Sequence, residues 1–85
     1  MVDETYYLYI LFSTLKIKTY VGITDNPERR LQEHNNGKSY FTNRYKPWVL
    51  IYLEVFKNKL EASKREKFLK SRSGRRWMKG IFKEL

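Results

Sequence analysis

The fold is decided by residues 6–23, which read YYLYILFSTLKIKTYVGI. Residues 6–12 are aromatic and aliphatic with no breaker, which is typical of a buried strand. Residues 17–23 alternate, which predicts a second strand with Ile17 and Val21 on one face and Tyr20 and Gly22 on the other. The two runs are close in sequence, so we expect a hairpin that places Tyr9 and Tyr20 near the middles of its strands.

The middle of the chain is marked by helix caps and stops. Asn26 followed by Pro27 indicates a helix start and Asn36-Gly37 its end, which predicts a helix over residues 27–36. Residues 38–47 are polar, basic and aromatic without a clean period, so we expect a loop. Residues 48–56 form the third predicted strand, whose aliphatic face comprises Val49, Ile51, Leu53 and Val55.

The last third is predicted to be helical. Asn58 and Glu61 have the pattern of a capping box, which predicts a helix over residues 59–71. A break at Ser73-Gly74 precedes a short amphipathic helix that begins near Arg75. The order of elements is β-β-α-β-α-α, an α+β fold in which a small, mostly antiparallel sheet of three strands is flanked by helices.

Length and composition limit the class of protein. The 85 residues predict one small domain spanning residues 1–85, and a 41% hydrophobic content fits a folded chain better than a disordered tail. The absence of cysteine excludes disulfides, thiol nucleophiles and cysteine-ligated zinc, and the single histidine excludes a histidine cluster. No apolar run approaches about 20 residues, so we expect no membrane span and a cytoplasmic location.

The net charge of +9 indicates an anionic partner. Residues 57–83 contain eleven basic and two acidic side chains, so the positive charge is concentrated in the last third of the chain. Such a block favours nucleic acid as the partner, ahead of an anionic membrane or an acidic protein. A merely solvated helix face is the alternative.

Glu66 lies where a carboxylate needs a partner. With Ala62 and Leu69 it forms an i, i+4, i+7 stripe that is expected to face the protein. Because an unpaired buried carboxylate is costly, a salt bridge, a hydrogen-bond network or a bound cation must accompany it. The abundance of arginine and lysine nearby favours the salt bridge.

Arg30 and His34 lie one turn apart on one side of the first predicted helix, so they can address a common site. Taken singly, a surface cation and a satisfied interfacial histidine are the simpler interpretations. Gly22 lies inside a strand, where glycine often marks the close approach of a ligand or another backbone. For Tyr9 and Tyr20, the simpler interpretation is that both are ordinary strand residues with their hydroxyls at the sheet edge.

Together these residues resemble the GIY-YIG nuclease superfamily. The resemblance rests on YLY at residues 7–9, YVG at residues 20–22, Arg30 on the following helix, and Glu66 at the end of EASKRE, and it spans about residues 6–72. It is closest to the stand-alone, single-domain branch related to the catalytic module of UvrC-type excision-repair nucleases. The chain departs from the family pattern with YLY in place of GIY, with Ile23 where that branch often has lysine, and without an asparagine after Glu66.

The resemblance implies metal-dependent hydrolysis of DNA phosphodiester bonds. Glu66 would hold Mg²⁺ or Mn²⁺, and Arg30 would stabilise the charge of the transition state. Tyr9 and Tyr20 would bracket the attacking water, and His34 would assist the proton transfer. A structure-selective or weakly sequence-selective endonuclease, serving DNA repair or recombination, is the leading expectation, and a catalytically silent nucleic-acid-binding module is the alternative.

The expected substrate contacts come from basic side chains that bind phosphates without reading sequence, and RNA remains open beside DNA. These residues are Lys18, Arg44, Lys64, Lys67, Lys70, Arg72, Arg75, Arg76 and Lys79. Residues 39–45 interleave aromatic side chains with a cation, which suits stacking on unpaired bases or, equally, capping of a small core.

Overall fold

The structure, a computed structural model, describes residues 5–38 and 40–82. It has three strands and four helices, in the order β-β-α-α-β-α-α, and the α+β class is confirmed. The elements are β1 (Tyr6–Ser13), β2 (Lys18–Thr24), α1 (Pro27–Asn35), α2 (Tyr40–Asn43), β3 (Trp48–Phe56), α3 (Lys59–Leu69) and α4 (Arg72–Ile81). The ends of the predicted 1–85 domain, and Ser39 of the predicted aromatic loop, lie outside the described residues.

The sheet has the order β2-β1-β3, and both neighbours of the central strand β1 run antiparallel to it. Tyr9 lies in the middle of β1, opposite Gly22 on β2 and Leu53 on β3. One face of the sheet carries the aliphatic core, in which Leu8 and Ile10 pack with Leu69 of α3 and Met78 of α4. Tyr9 therefore points away from the aliphatic core, because successive side chains of a strand alternate between faces.

The opposite face carries an aromatic cluster. Tyr9, Leu11 and Trp48 are buried there, with Leu31 of α1 and Tyr45 packed against them. The side chain of Asn35 at the end of α1 holds the start of β3, because its Nδ2 donates to the carbonyl oxygen of Trp48 at 3.0 Å and its Oδ1 accepts from the backbone N–H of Trp48 at 2.6 Å. These bonds fix α1 against the sheet.

The predicted aliphatic face of β3 is wrong. The pairing of β1 with β3 shifts between Ile10 and Leu11, so that Ile51 is an extra residue and the alternation of β3 changes phase there. Ile51 and Tyr52 both pack against the core, whereas Leu53 and Val55 are exposed. β3 is also an outer strand of the sheet.

The predicted helix boundaries hold at their starts more often than at their ends. Asn26 caps α1 and Asn58 caps α3, each accepting from the backbone N–H three residues on, but α1 ends at Asn35 instead of residue 36 and α3 at Leu69 instead of residue 71. The predicted loop over residues 38–47 contains the four-residue helix α2. Local sequence gives no period over so short a helix.

The predicted break at Ser73-Gly74 is also wrong, since α4 begins at Arg72 and runs through it. Ser71 is the N-cap, and its Oγ accepts from the backbone N–H of Gly74 at 3.2 Å. A Cβ atom on Gly74 would lie 2.1 Å from the carbonyl oxygen of Phe68. Glycine at this position therefore permits the close packing of α4 on the end of α3 and does not interrupt a helix.

Ile17 lies in the turn before β2, not on the strand as predicted. Its φ is 52° and its side chain is 75% exposed. The left-handed region costs an L-residue roughly 1–2 kcal/mol, and a β-branched side chain is a poor occupant. Among the described residues, no helix combines the length and the apolar composition that crossing a membrane requires.

Candidate active site

A buried chain of hydrogen bonds leads from Tyr9 to α2. The phenolic oxygen of Tyr9 lies 3.1 Å from His34 Nε2, and His34 Nδ1 lies 2.8 Å from Thr42 Oγ1. The indole N–H of Trp48 donates to the carbonyl oxygen of Thr42 at 2.8 Å, which fixes α2 at this place. His34 and Thr42 are fully buried, so His34 is an interior side chain and not the interfacial histidine of the simpler interpretation.

Gly22 makes room for Tyr9. A Cβ atom at position 22 would lie 2.4 Å from the phenolic oxygen of Tyr9 and 2.5 Å from its Cζ. The ring of Tyr9 therefore lies across the backbone of Gly22. The sequence correctly marks a close approach at this glycine, but a side chain of the neighbouring strand makes it, in place of the ligand or backbone that was expected.

Both partners of the Tyr9–His34 hydrogen bond are neutral at pH 7, because the pKa of Tyr9 is raised and that of His34 is lowered. Burial raises the pKa of Tyr9, and the nearby Arg30 opposes this only in part. Burial and the positive charge of Arg30 lower the pKa of His34. A neutral imidazole beside a neutral phenol can accept the phenolic proton at Nε2, since the two atoms are already within hydrogen-bonding distance.

Arg30 is fixed at the edge of this pair. Its Nη1 donates to Glu33 Oε1 at 2.7 Å, and its side chain is one-third exposed. Burial lowers the pKa of Arg30, but the neighbouring side chains of Glu33 and Tyr9 outweigh burial and raise it. Arg30 is thus a permanent cation beside Tyr9. Arg29, on the same helix, lies 3.6 Å from Glu33 and forms a shorter ion pair with Asp25 at 2.8 Å.

Tyr20 closes the cluster on the β2 side. Its ring centroid lies 4.8 Å from that of His34 and 6.3 Å from that of Tyr9. The ammonium group of Lys70 lies 5.9 Å from the centre of the Tyr20 ring, within the range of a cation–π contact. Tyr20 is half-buried and thus links the buried pair to the basic surface of α3.

Glu66 has the salt bridge that its position favours. Its Oε2 lies 2.9 Å from Lys70 Nζ, one turn further along α3, and its side chain is 25% exposed. The charge of Glu66 also contributes to the raised pKa of Tyr9, and its partner Lys70 lies over the ring of Tyr20 at 5.9 Å. The structure therefore brings together Tyr9, Tyr20, Arg30, His34 and Glu66, while their roles remain predictions.

A metal ion at this site would have one carboxylate from the protein. The described residues contain no group of three histidine, cysteine, aspartate or glutamate side chains that could hold a metal. Mg²⁺ commonly binds through one or two carboxylates with substrate phosphates and water as its other ligands. Glu66 fits that pattern, and the ammonium of Lys70 shows that a cation is accommodated at its carboxylate.

A clamp on the core side of α3 holds the helix that carries Glu66. The guanidinium of Arg65 donates to both carboxylate oxygens of Glu54 on β3, at 3.0 and 3.1 Å. Glu54 also accepts from the hydroxyl of Tyr52 at 2.6 Å. Burial raises the pKa of Glu54, but the bonds from Arg65 and Tyr52 outweigh it and lower the pKa. The sequence analysis missed this clamp.

Thr42, Trp48 and Asn35 are further residues of the site that the sequence analysis missed. They hold His34 and the aromatic cluster through polar contacts between distant segments. Threonine, tryptophan and asparagine are not residue types that indicate metal binding or acid–base chemistry. The closest indication is the position of Asn35 directly after His34, on a helix whose end the sequence predicts to within one residue.

The nine predicted phosphate-binding side chains are all exposed and fall into three groups. Lys18 and Arg44 both lie over the ring of Tyr45, at 4.9 and 5.8 Å. Lys64 and Lys67 on α3, and Lys70 directly after its end, lie around the pocket that contains Glu66. The third group occupies α4 and comprises Arg72, Arg75, Arg76 and Lys79.

Known proteins resemble this chain in sequence. Residues 5–80 match the family model of the GIY-YIG catalytic domain. A UPF0213 protein of Clostridium perfringens is 42% identical over 65 residues, which cover 75% of this chain and 69% of that protein. The structure-specific endonuclease subunit slx1 of Xenopus laevis is 39% identical over 59 residues, which cover 61% of this chain and 21% of that protein.

A solved structure supports the same relationship. The solution NMR structure of a UPF0213 protein from Bacillus halodurans matches with a TM-score of 0.55 and 28% sequence identity, covering 92% of this chain and 85% of that chain. The family match runs through all three strands and nearly the whole of the four helices. The chain therefore belongs to the GIY-YIG family.

Proposed function

We propose that this protein is a divalent-metal-dependent endonuclease that hydrolyses DNA phosphodiester bonds with structural or weak sequence selectivity. The observation that carries the proposal is the 3.1 Å contact between Tyr9 and a neutral His34, with Arg30 and Glu66 near the phenol. This combination offers a proton acceptor, a permanent cation and a metal-binding carboxylate in one place. RNA remains a second substrate, and repair or recombination is the proposed setting.

Tyr9 is the residue that takes the proton of the attacking water. The water oxygen forms a bond to phosphorus, and the bond from phosphorus to the leaving oxygen breaks. The water proton goes to the phenolic oxygen of Tyr9 as the phenolic proton moves to His34 Nε2. Solvent protonates the leaving oxygen. The half-buried Tyr20 limits the space from which water approaches.

Arg30, Glu66 and Lys70 act on the negative charge of the substrate phosphate. Arg30 binds a non-bridging oxygen of the phosphate, where negative charge increases in the transition state. A divalent cation held by Glu66 would polarise the scissile phosphate and stabilise the leaving oxygen. Lys70 must release Glu66 for this, and its ammonium then becomes available to a substrate phosphate.

The test is cleavage of labelled single-stranded, duplex, flap and branched DNA with Mg²⁺ or Mn²⁺, against EDTA. Glu66→Gln removes the carboxylate charge, and Glu61→Gln makes the same change at an exposed position of the same helix. We expect metal-dependent cleavage in the wild type and Glu61→Gln but none in folded Glu66→Gln. Cleavage by Glu66→Gln at the wild-type rate would contradict the proposal.

A catalytically silent DNA-binding module is the second candidate, favoured by the ion pair of Glu66 with Lys70. In that case the carboxylate serves only to neutralise Lys70. Salt-sensitive DNA binding without cleavage of any substrate, in either metal, would establish this function.

A further inference from the structure

A groove lies beside the candidate active site, between β2 and α4. Its volume is about 760 Å³, and its inner surface is apolar, with Val21 and Phe12 from the sheet and Leu69, Met78 and Phe82 from the helical side. Tyr20 and Lys70, which also belong to the candidate active site, line it together with the basic side chains of Lys18, Arg75 and Lys79.

The two kinds of surface define the chemistry of a ligand. Side chains of lysine and arginine beside an apolar surface favour a ligand that is anionic on one side and apolar on the other. An unpaired nucleotide has this character, since its phosphate is charged and its base has an exposed π-face. A continuous duplex offers phosphates only, because its bases are paired and stacked inside.

The groove is continuous with the site through shared residues. Lys70 lines the groove and also contacts Glu66 at 2.9 Å and the Tyr20 ring at 5.9 Å. A strand whose phosphate lies beside Tyr20 and Lys70 can therefore extend into the groove. This continuity favours a nucleic-acid strand over an acidic peptide as the occupant.

Ile17 adds an independent observation. It lines the groove, is 75% exposed, and has the left-handed backbone that β-branched residues avoid. Asparagine or glycine would occupy this position with less strain. An exposed, strained isoleucine at the border of the groove enlarges its apolar surface at a cost to the stability of the fold.

We propose that the groove between β2 and α4 binds unpaired nucleotides of the strand that reaches Tyr20, with phosphates on Arg75 and Lys79 and bases against the apolar surface. This inference rests on the proposed function for the identity of the strand. It makes the protein selective for substrates with single-stranded segments next to the bond that is cut.

The test compares two matched double variants of α4. Arg75→Gln/Lys79→Gln removes the two groove cations of α4 and leaves Lys18 and Lys70 in place, and Arg72→Gln/Arg76→Gln removes the same charge from the same helix outside the groove. Binding to labelled oligothymidylate and to a blunt DNA hairpin is measured by fluorescence anisotropy in EDTA, at several salt concentrations. Metal-dependent cleavage of both probes by the wild type is measured separately.

We expect the groove variant to lose about tenfold in affinity for oligothymidylate and no more than about threefold for the hairpin. Its salt dependence on the single strand, as log K against log salt, should decrease in slope by about 1.4, or about 0.7 per phosphate contact. The control variant should weaken binding of both probes by similar factors. An unchanged ratio of the two affinities in the groove variant would overturn the inference.

The Ile17→Asn variant tests whether a loss of affinity can occur without a loss of folding. Its melting temperature should equal or exceed that of the wild type, while its affinity for oligothymidylate should decrease. Unchanged affinity, or equal competition by polyglutamate and oligothymidylate, would refute the groove assignment. If the protein binds oligothymidylate selectively but cleaves neither probe, the nuclease proposal is refuted and the groove assignment stands. If it cleaves DNA but does not bind the single strand selectively, the groove assignment is refuted and the nuclease proposal stands.

Discussion

Replacing Gly22 with alanine should displace the ring of Tyr9 while the protein remains folded. The new Cβ would lie 2.4 Å from the phenolic oxygen of Tyr9, about 1 Å inside ordinary van der Waals contact. The ring must move by a similar distance, and it is 2% exposed within a packed cluster. Overpacking of this kind costs about 1–3 kcal/mol.

The same displacement should affect turnover more than stability. A shift of about 1 Å in a reacting group can reduce the rate about 100-fold. We therefore expect the Gly22→Ala variant to remain folded, with a melting temperature lower by about 4–8 °C for each kcal/mol lost. Its kcat on the best cleaved DNA substrate should fall about 100-fold.

Two other glycines supply matched controls. A Cβ atom at Gly80, near the end of α4, would have no neighbour within 4 Å, so Gly80→Ala should stabilise the helix by about 0.5–1 kcal/mol and leave kcat unchanged. Gly74→Ala should lower stability through its contact with Phe68 but leave kcat of the folded protein intact. Wild-type kcat in Gly22→Ala would refute the placement of Tyr9 in the reaction.

Three further predictions concern the buried hydrogen bonds and the ion pair. Thr42→Val leaves the buried Nδ1 of His34 without its partner, which should cost about 1–3 kcal/mol in urea unfolding and lower kcat; a wild-type unfolding midpoint would contradict the hydrogen bond. Because the folded pKa of His34 is lowered, stability from this group is complete above about pH 6.5 and decreases as the pH falls from there toward the folded value. In the His34→Gln variant the urea unfolding midpoint should therefore vary less with pH in that range than in the wild type. The same pH dependence in both proteins would refute the lowered pKa of His34. Lys70→Gln removes the cation paired with Glu66, so Mn²⁺ should bind more tightly in calorimetric titration than to the wild type; weaker binding would show that Glu66 is not the ligand.

The strands were predictable because their side chains report burial directly. The aromatic and aliphatic run of β1 and the full extent of β3 follow from composition, and helix starts follow from Asn26 and Asn58. The faces of β3 were not predictable, since the phase change at Ile51 depends on how β1 pairs with it. Gly74 misled the boundary of α4 because local sequence does not distinguish a packing glycine from a stop.

The candidate site was predictable in its residues but not in its connections. Helical spacing predicted that Arg30 and His34 share one side of a helix and that Glu66 faces the protein. The salt bridge from Glu66 to Lys70 matches the abundance of nearby cations. The contact of Thr42 with His34 could not be predicted, because this hydrogen bond joins two segments whose relative positions are determined only by tertiary packing.

The position of Tyr9 on the central strand has a consequence for how the protein loses its site. Leu8 and Ile10, its chain neighbours, are fully buried in the aliphatic core on the opposite face. Amide hydrogens of β1 should therefore exchange with solvent only through the most extensive opening of the fold, whereas the exposed ends of α4 open locally. Fluctuation of the basic helices can occur many times within the lifetime of an intact Tyr9–His34 pair, and heat inactivation should coincide with global unfolding.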